Sequence, residues 1–412
     1  MPELFLGIDL GTSGARALVI DTNGAVVSGG KSAMADHGPN MRSPAIWWAA
    51  VQTALRAALV PIDASDIRAL AVDGTSGTML AIDAQGQPLA DGLMYNDACH
   101  DADLLARITA ASPETTAARG ASSALARAVQ LAALGPARVI HQADWIAGQF
   151  SRIWVSDENN ALKTGYDPVA REWPAWVGEI IDTDLLPRVV APGAAVGQVG
   201  ANGFGLSPDC AVVAGTTDGC ASFLATGASE AGDGVTALGT TLTIKLLSDA
   251  PIFAPAYGIY SHKVLGLWLA GGASNTGGNV LLSEFPGVDL EALSARIDPE
   301  SDTGLSYYPL SKPSERFPIN DPDLAPVLTP RPASDSDHLK AIFEGIAGIE
   351  ALAYSRLAEL GAPALRSVRT VGGGAANATW TRIRERRLKV VMQAPLSGEA
   401  AYGAALLAKA GA

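Results

Sequence analysis

The sequence has few charged residues, and a minority of them are basic. Only 17% of its 412 residues are Asp, Glu, Lys or Arg, whereas 48% are hydrophobic. This balance is typical of a chain with large buried cores and argues against intrinsic disorder. Acidic residues outnumber basic ones by 42 to 29, a net charge of −13. An acidic surface repels nucleic acids and anionic membranes, but it allows binding of ATP as a magnesium complex.

Cysteines are scarce, and the N-terminus has no basic segment. Cys99, Cys210 and Cys220 show no CxxC spacing, which fits a reducing compartment and argues against a zinc knuckle. Asp9 interrupts the first apolar run, so a signal peptide is not expected. Residues 264–283 lack charge, but their glycines predict a strand, a turn and a helix start, not a membrane span. We expect a soluble, cytoplasmic protein.

One short turn occurs twice in the chain. Leu10-Gly11-Thr12-Ser13 and Leu238-Gly239-Thr240-Thr241 each lie between two apolar runs. Such a pattern predicts a tight hairpin. Glycine allows close approach of a ligand, and the amides and hydroxyls of the turn can surround phosphate oxygens. The two copies predict two related halves that face one nucleotide across a cleft.

The order of predicted elements also repeats. A series of strands followed by helices occurs twice along the chain. This repetition predicts an α/β protein with two domains of similar architecture. The boundaries we expect are 1–225 and 226–412, with the last helix able to pack back on the first domain. The predicted elements are strands at 4–9, 16–20, 67–72, 211–214 and 367–371, helices at 45–59, 220–224 and 337–360, and a hairpin of 79–82 with 88–93.

Two acids occupy positions suited to phosphoryl transfer. Asp9 ends a strand and enters the first turn, so its carboxylate would point towards a nucleotide-bound Mg²⁺, through water. Asp218 follows another predicted strand at a helix start, where a carboxylate can take a proton from an attacking hydroxyl. Each acid alone is usually only a turn former. Their arrangement with the two turns and the glycines at 372–374 is far more specific.

Two other patterns resemble nucleotide motifs without matching them. Gly29-Gly30-Lys31-Ser32 resembles the end of a P-loop, but Ala25 stands where that motif requires glycine. The segment GGGAANA at 372–378 lacks the spacing of a dinucleotide fingerprint. A further run is basic, and we interpret it as a solvated helix face: Arg382, Arg384, Arg386, Arg387 and Lys389.

Several segments together resemble the FGGY carbohydrate kinases. They are GIDLGTSGARAL, AVDGTSGTML, NDA at 96–98, AGTTDG, LGTT at 238–241 and VGGGAANATW. The resemblance runs from residue 4 to about 408 and keeps the order of that family, which belongs to the actin, hexokinase and heat-shock ATPase superfamily. It implies two ribonuclease-H-like (actin-like ATPase) domains, with ATP and a sugar meeting in a central cleft.

The resemblance also implies roles for individual residues. Asp218 would be the general base on the sugar hydroxyl. Asp9 would contact Mg²⁺, and the other implied residues would bind ATP. The first phosphate turn would be Gly11, Thr12 and Ser13, the second Gly239, Thr240 and Thr241, and the adenosine border Gly373, Gly374 and Asn377.

The identity of the sugar rests on a short element at 73–78. Xylulokinases usually carry Met-His-Gly there, and glycerol kinases an Arg-Glu pair nearby, but this chain has neither. DGTSGT, YSHK and GGASN are most similar to a short ribulokinase branch of cyanobacteria and plants, whose members are also called xylulose kinases. The likeness implies that Ser76, Asp9 and Asp218 hydrogen-bond an open-chain ketopentose, and it favours D-ribulose over D-xylulose.

Other functions stay open on the sequence. Another pentulose or a pentitol could be the substrate. An actin-like nucleotide switch or a sugar sensor is the non-enzymatic alternative, although neither needs a base such as Asp218. The oligomeric state, monomer or homodimer, does not follow from the sequence.

Overall fold

A computed structural model of the protein describes residues 3–412. Along the chain, the strands are β1 (Leu4–Leu10), β2 (Gly14–Asp21), β3 (Val26–Ala33), β4 (Ile67–Gly74), β5 (Met79–Ile82), β6 (Arg138–His141), β7 (Val155–Asp157), β8 (Arg188–Val190), β9 (Ala195–Gln198), β10 (Ala211–Thr217), β11 (Asp233–Leu238), β12 (Leu242–Ser248), β13 (His262–Val264), β14 (Leu267–Ser274), β15 (Ser367–Val371) and β16 (Val391–Gln393). The helices are α1 (Pro44–Leu59), α2 (Ala102–Ala111), α3 (Ala124–Ala132), α4 (Gln142–Ser151), α5 (Glu158–Leu162), α6 (Ala175–Gly178), α7 (Asp218–Ala225), α8 (Gly278–Glu284), α9 (Leu290–Ser294), α10 (Asp335–Glu359), α11 (Ala378–Leu388) and α12 (Ala400–Ala410). Among the described residues, no helix has the length and apolar character needed to cross a membrane.

The chain forms two compact units. The first contains the residues up to Ala225 together with His262–Gly266 and Glu399–Ala412, and the second contains Thr226–Ser261 and Leu267–Gly398. The last helix, α12, therefore belongs to the first unit.

The first unit is built on a sheet with the order β3-β2-β1-β4-β10-β9. Every residue of β1 is buried, as expected for a central strand with no solvent-exposed face. Helix α12 packs so closely on β1 that a Cβ at Gly7 would lie 1.9 Å from the carbonyl oxygen of Ala401. Strands β1, β4 and β10 run parallel, so their carboxyl ends meet at one edge of the sheet.

The second unit repeats this plan. Its sheet includes the run β14-β12-β11-β15-β16, in which β11 and β15 are parallel. The long helix α10 buries one side in the apolar core of this unit, where Leu339, Ile342, Phe343 and Ile346 are fully or almost fully inaccessible. The hairpin between β11 and β12 corresponds in the repeat to that between β1 and β2.

One predicted hairpin is confirmed only in part. The strand 79–82 forms, and it pairs antiparallel with 88–93 at its two ends, but the pairing along its whole length is with β6. Residues 88–93 contact β5 only through isolated bridges at Leu93 and Pro88. Proline has no N–H to donate to a ladder, which weakens this segment as a strand.

The interpretation of the basic run is also wrong in part. Arg384 is not solvated: it is fully buried, and its guanidinium donates two hydrogen bonds of 2.6 Å to the Glu350 carboxylate. Glu350 also accepts a hydrogen bond of 2.5 Å from the hydroxyl of Thr236 in β11. The ion pair therefore ties α11 and α10 to the strand that leads into the second turn.

Candidate functional site

The first turn leaves its polar groups open to a ligand. Strand β1 ends at Leu10 and β2 begins at Gly14, with the Gly11 amide donating to the Gly14 carbonyl at 3.0 Å. Thr12 and Ser13 between them are exposed. The predicted hairpin is confirmed, and its exposed hydroxyls and amides are of the kind that bind phosphate oxygens.

Three acidic residues come together where the parallel strands end. Asp9 of β1 lies in register with Asp73 of β4, and Asp73 lies in register with Thr216 of β10. Asp218 follows two residues after Thr216, as the first residue of α7. Burial, and then the nearby Asp9 and Asp218 carboxylates, hold the pKa of Asp73 well above its ordinary value. This edge of the sheet therefore brings three carboxyl groups together, and the buried Asp73 favours its neutral form.

Asp9 is oriented by a cation that the sequence reasoning missed. Its side chain is almost fully buried, and its Oδ2 accepts a hydrogen bond of 3.1 Å from Nη1 of Arg16. Arg16 stands opposite Asp9 in the β1–β2 ladder and also forms an ion pair of 3.2 Å with Glu399. A lone arginine in the otherwise apolar β2 is the signal in the sequence that marks it.

The carboxylate edge suits a magnesium ion that is shared with a phosphate. Both oxygens of Asp73 are buried and accept no hydrogen bond within the described residues. Across residues 3–412 no three His, Cys, Asp or Glu side chains form a group that could hold a metal alone. Mg²⁺ is usually held by one or two carboxylates plus substrate phosphates and water. Asp9 with its neighbouring carboxyl groups fits that requirement.

Asp218 lies where β10 ends and α7 begins. It is half-buried at the start of α7, and its Oδ1 accepts a short hydrogen bond of 2.7 Å from the amide of Gly219. This contact fixes the carboxylate at the carboxyl end of β10. Its position agrees with the strand end and helix start that the sequence predicts.

Ser76 presents a hydroxyl without a partner. Its Oγ is buried and makes no hydrogen bond within the described part of the chain. Its neighbours are fully engaged: the Thr75 hydroxyl bonds to Oε1 of Gln142 at 2.9 Å and to the Thr78 hydroxyl at 2.7 Å. A buried hydroxyl normally has a partner, so an unpaired one in a rigid turn points to a ligand or water.

A buried arginine fixes the same turn. Arg127 of α3 is 2% exposed, and its Nε donates to the carbonyl of Gly77 at 2.9 Å. Its Nη1 donates at 3.0 Å to the carbonyl of Asp97, in the NDA segment. The Asp97 carboxylate is held in turn by Arg42. Arg127 thus joins two segments that the family resemblance singled out, and the alanine-rich sequence around it gave no sign of this role.

The second turn is preceded by Leu238 and not by an acid, and backbone hydrogen bonds support it. Gly239 and Thr240 are exposed, and Thr241 is half-buried. The amide of Gly278, at the start of α8, donates to the Gly239 carbonyl at 2.8 Å, and the amide of Asn279 donates to that of Thr240 at 3.1 Å. The start of α8 therefore supports the carbonyls of the turn, while Gly239 and Thr240 stay exposed to solvent.

The triple glycine packs directly against this turn. A Cβ at Gly372 would lie 2.7 Å from the Leu238 carbonyl oxygen, and one at Gly374 2.8 Å from the Leu238 Cβ. A Cβ at Gly373 would meet nothing within 4 Å, so that residue faces open space. Asn377 caps α11 by accepting from the Trp380 amide, and its Nδ2 donates to Ser294 at 2.8 Å. The structure brings the second turn and this loop together in one unit.

Comparisons with known proteins agree with this geometry. The FGGY family of carbohydrate kinases is matched by its N-terminal domain over residues 4–102 and by its C-terminal domain over residues 231–412. A xylulose kinase of Klebsiella pneumoniae is 24% identical over 373 residues, which are 83% of this chain and 76% of that protein. A xylulose kinase of Streptomyces coelicolor is 29% identical over 267 residues, which are 60% of this chain but only 54% of that protein.

The fold is shared with a solved structure. The xylulose kinase of Bifidobacterium adolescentis superposes with a TM-score of 0.83 at 22% identity, covering 100% of this chain and 93% of that one. The expected fold class, two domains of the actin-like ATPase type, is confirmed. The two family matches together span more than half of the chain. The chain therefore belongs to the FGGY family of carbohydrate kinases.

Proposed function

We propose that the protein transfers the γ-phosphoryl group of ATP to a terminal hydroxyl of a ketopentose. D-Ribulose is the substrate we favour, with D-ribulose 5-phosphate as product. The observation that carries the proposal is the meeting of Asp9, Asp73 and Asp218 at the carboxyl ends of three neighbouring elements, beside the exposed first turn. Phosphoryl transfer needs this combination of positioned charge and an acceptor for one proton.

Asp218 is the general base of the proposed reaction. Its carboxylate accepts the proton of the sugar hydroxyl while that oxygen forms a bond to the γ-phosphorus and the bond to the ADP oxygen breaks. The Gly219 amide fixes the carboxylate in place through its 2.7 Å hydrogen bond. A base positioned in this way typically contributes about 10²–10⁴ in rate.

Asp9 is the magnesium contact that we propose. Bound Mg²⁺ neutralises phosphate charge during transfer. Arg16 holds the Asp9 carboxylate in one orientation through a hydrogen bond to its Oδ2. Gly11, Thr12 and Ser13 provide donors for phosphate oxygens in the first unit, and Gly239, Thr240 and Thr241 provide them in the second.

The adenosine side of the proposal rests on the loop after β15. Gly373 faces open space, and Gly374 lets the loop pack on Leu238 at the start of the second turn. The Asn377 side chain already caps α11 and hydrogen-bonds to Ser294. Its proposed role is therefore to shape the border of the adenosine site and not to contact the adenine.

Ser76 and Asp218 are the sugar contacts that we propose, together with Asp9. The unpaired Ser76 hydroxyl is supported by a turn that Arg127 and Gln142 hold rigid. This turn lacks the Met-His-Gly of xylulokinases, which supports D-ribulose. The second candidate is D-xylulose, because the curated relatives reported above are named xylulose kinases.

A substrate panel tests this proposal. ADP formation is measured with Mg²⁺-ATP alone and with D-ribulose, D-xylulose, L-ribulose, ribitol, xylitol and glycerol. We expect the largest stimulation, expressed as kcat/KM, with D-ribulose. A larger value for D-xylulose would replace D-ribulose as the substrate. Stimulation by no compound would overturn the kinase proposal in favour of a nucleotide switch or a sensor.

A further inference from the structure

Two basic residues of the run at 382–389 are left over after its structural contacts are assigned. Arg382 pairs with Glu300 and Glu385, and Arg384 is buried against Glu350. In contrast, the side chains of Arg387 and Lys389 form no hydrogen bond or ion pair within residues 3–412. Both are exposed. The protein has a net charge of −13, so these two cations lie close together on an otherwise acidic chain.

Arg386, the remaining member of the run, is also committed. Its guanidinium donates to the carbonyls of Pro299 and Ser301 and forms a 2.9 Å ion pair with Asp302. These contacts hold the segment before residue 304 against the end of α11. Arg386 therefore shapes the surroundings of Arg387 and Lys389 and is not itself available.

Arg387 and Lys389 line the same cavity, which lies within the second unit. The cavity has a volume of about 840 Å³ and is bordered by the end of α11, the middle of α10 and the segment 302–308. This volume falls in the range of small-molecule sites. Its two acids are already satisfied: Asp302 by Arg386, and Glu344 by the amide and hydroxyl of Thr303.

The rest of the cavity wall suits the organic part of a small ligand. Apolar surface comes from Leu305, Ile349, Leu352 and Ile383, beside backbone and polar groups. Gly345 and Gly348 of α10 have no side chains, so this part of the cavity lining is formed by the helix backbone. A ligand here would meet both apolar atoms and two cations.

This cavity is separate from the loop proposed to border adenosine. Asn377 caps the first turn of α11, whereas Arg387 lies ten residues further along the same helix. At a rise of 1.5 Å per residue the two are about 15 Å apart. None of the residues of the second turn or of the triple glycine lines the cavity.

We propose that this cavity binds a phosphorylated small metabolite, with its phosphate held by Arg387 and Lys389. The planar guanidinium of Arg387 can donate two parallel hydrogen bonds to phosphate oxygens, and Lys389 adds a second positive charge. Because no catalytic group lies here, the site regulates or stabilises the second unit rather than transforming its ligand. The proposal holds whichever sugar the kinase site accepts.

The test is isothermal titration of the full-length protein with inorganic phosphate, D-ribulose 5-phosphate, AMP and unphosphorylated D-ribulose. The experiment is run with the double variant Arg387→Gln/Lys389→Gln and with the matched control Arg296→Gln/Lys312→Gln, which removes two exposed cations of the same unit away from the cavity. Saturating ADP is present throughout, so that binding at the nucleotide turn does not contribute.

We expect a phosphorylated compound to bind the parent and the control equally, and to bind the cavity variant at least tenfold more weakly, since hydrogen bonds to charged groups are of this strength. D-Ribulose 5-phosphate or AMP binding more tightly than inorganic phosphate would identify an organic phosphate as the ligand. D-Ribulose 5-phosphate as product can also bind the kinase site equally in all three proteins, so the proposal would be overturned if every phosphate compound bound all three proteins equally. No binding of any phosphate compound to the parent would overturn it as well. Neither result depends on kinase activity.

Discussion

The two glycine-threonine turns share one backbone plan but differ in the groups around them. The first is preceded by Asp9, with Asp73 and Asp218 at the same edge of the sheet. The second is preceded by Leu238 and is braced by the start of α8 and by the triple glycine. Repetition of a hairpin has thus produced one edge rich in carboxylates and one built from amides.

The strand that leads into the second turn contacts a buried acid, Glu350, through the hydroxyl of Thr236. Glu350 is fully buried, and Arg384 neutralises it with two hydrogen bonds. In the first unit, by comparison, the buried Asp73 has no cation in contact and its pKa is raised by burial and neighbouring acids. Carboxylates kept at an edge can serve metal and proton chemistry, whereas a carboxylate paired with arginine serves structure.

The largest effect is expected from removing the proposed base at the first edge. Asp218→Asn keeps the shape of the side chain but cannot accept a proton, so kcat should fall by about 10²–10⁴. The measurement is sugar-dependent ADP formation at saturating ATP. Asp209→Asn, which changes an exposed acid in the loop before β10, is the control and should keep the parent rate. Parent activity in Asp218→Asn would show that Asp218 is not the base, and that the first edge does not differ from the second in this chemistry.

The buried ion pair of the second unit gives the next effect, on stability. Arg384→Met leaves the Glu350 carboxylate buried without a cation, which should lower the free energy of unfolding by about 3–5 kcal/mol. The double variant Arg384→Met/Glu350→Leu should recover most of this loss. Chemical unfolding measures both. A loss below about 1 kcal/mol in the single variant would show that Glu350 finds other compensation.

The glycines beside the second turn allow a matched pair of substitutions. Gly372 has φ +87°, and an added Cβ would lie 2.7 Å from a backbone oxygen, so Gly372→Ala should cost about 1–3 kcal/mol and raise the KM for ATP. Gly373→Ala adds a methyl group in open space and should leave folding intact. The KM for the sugar should change in neither variant. Equal ATP kinetics in both would remove the second turn from the nucleotide site.

The titration of His141 has the smallest effect on stability at neutral pH and becomes important only in acid. Burial, and then Arg127, lower the pKa of His141 to about 3. The unfolded chain takes up this proton near the ordinary pKa of about 6.5, so stability is lost as the pH falls from there towards 3, at up to about 1.4 kcal/mol per pH unit.

His141→Gln cannot take up this proton, so its stability should vary less with pH over the same range. Unfolding by urea at a series of pH values measures this, with the exposed His100→Gln as control. An unchanged slope in His141→Gln would show that other groups govern the acid sensitivity of this unit.

The sequence was sufficient for features that are determined locally. Both hairpins, the helix at 44–59 and the strand that ends at Asp9 follow from apolar runs, a glycine at the turn and Pro44 at a helix start. The long helix predicted at 337–360 is observed at Asp335–Glu359. The family resemblance rested on these same local segments.

Features that depend on distant partners were missed. Arg384 finds Glu350 only after α11 packs on α10, and Arg127 finds Gly77 and Asp97 only after α3 is placed beside their loops. No residue near these arginines in the sequence indicates which residues they will contact. The pairing of β5 with β6 was missed for the same reason, because the pairing of strands distant in sequence is determined by tertiary packing.

The magnesium dependence of Asp9→Asn tests the contrast between the two edges most directly. Sugar phosphate formation is measured over a range of Mg²⁺ concentrations, and binding of ADP without Mg²⁺ is measured in the same preparation. We expect Asp9→Asn to need a much higher Mg²⁺ concentration, because one carboxylate ligand is lost, while its metal-free ADP binding equals that of the parent. A magnesium titration identical to the parent's would contradict the account.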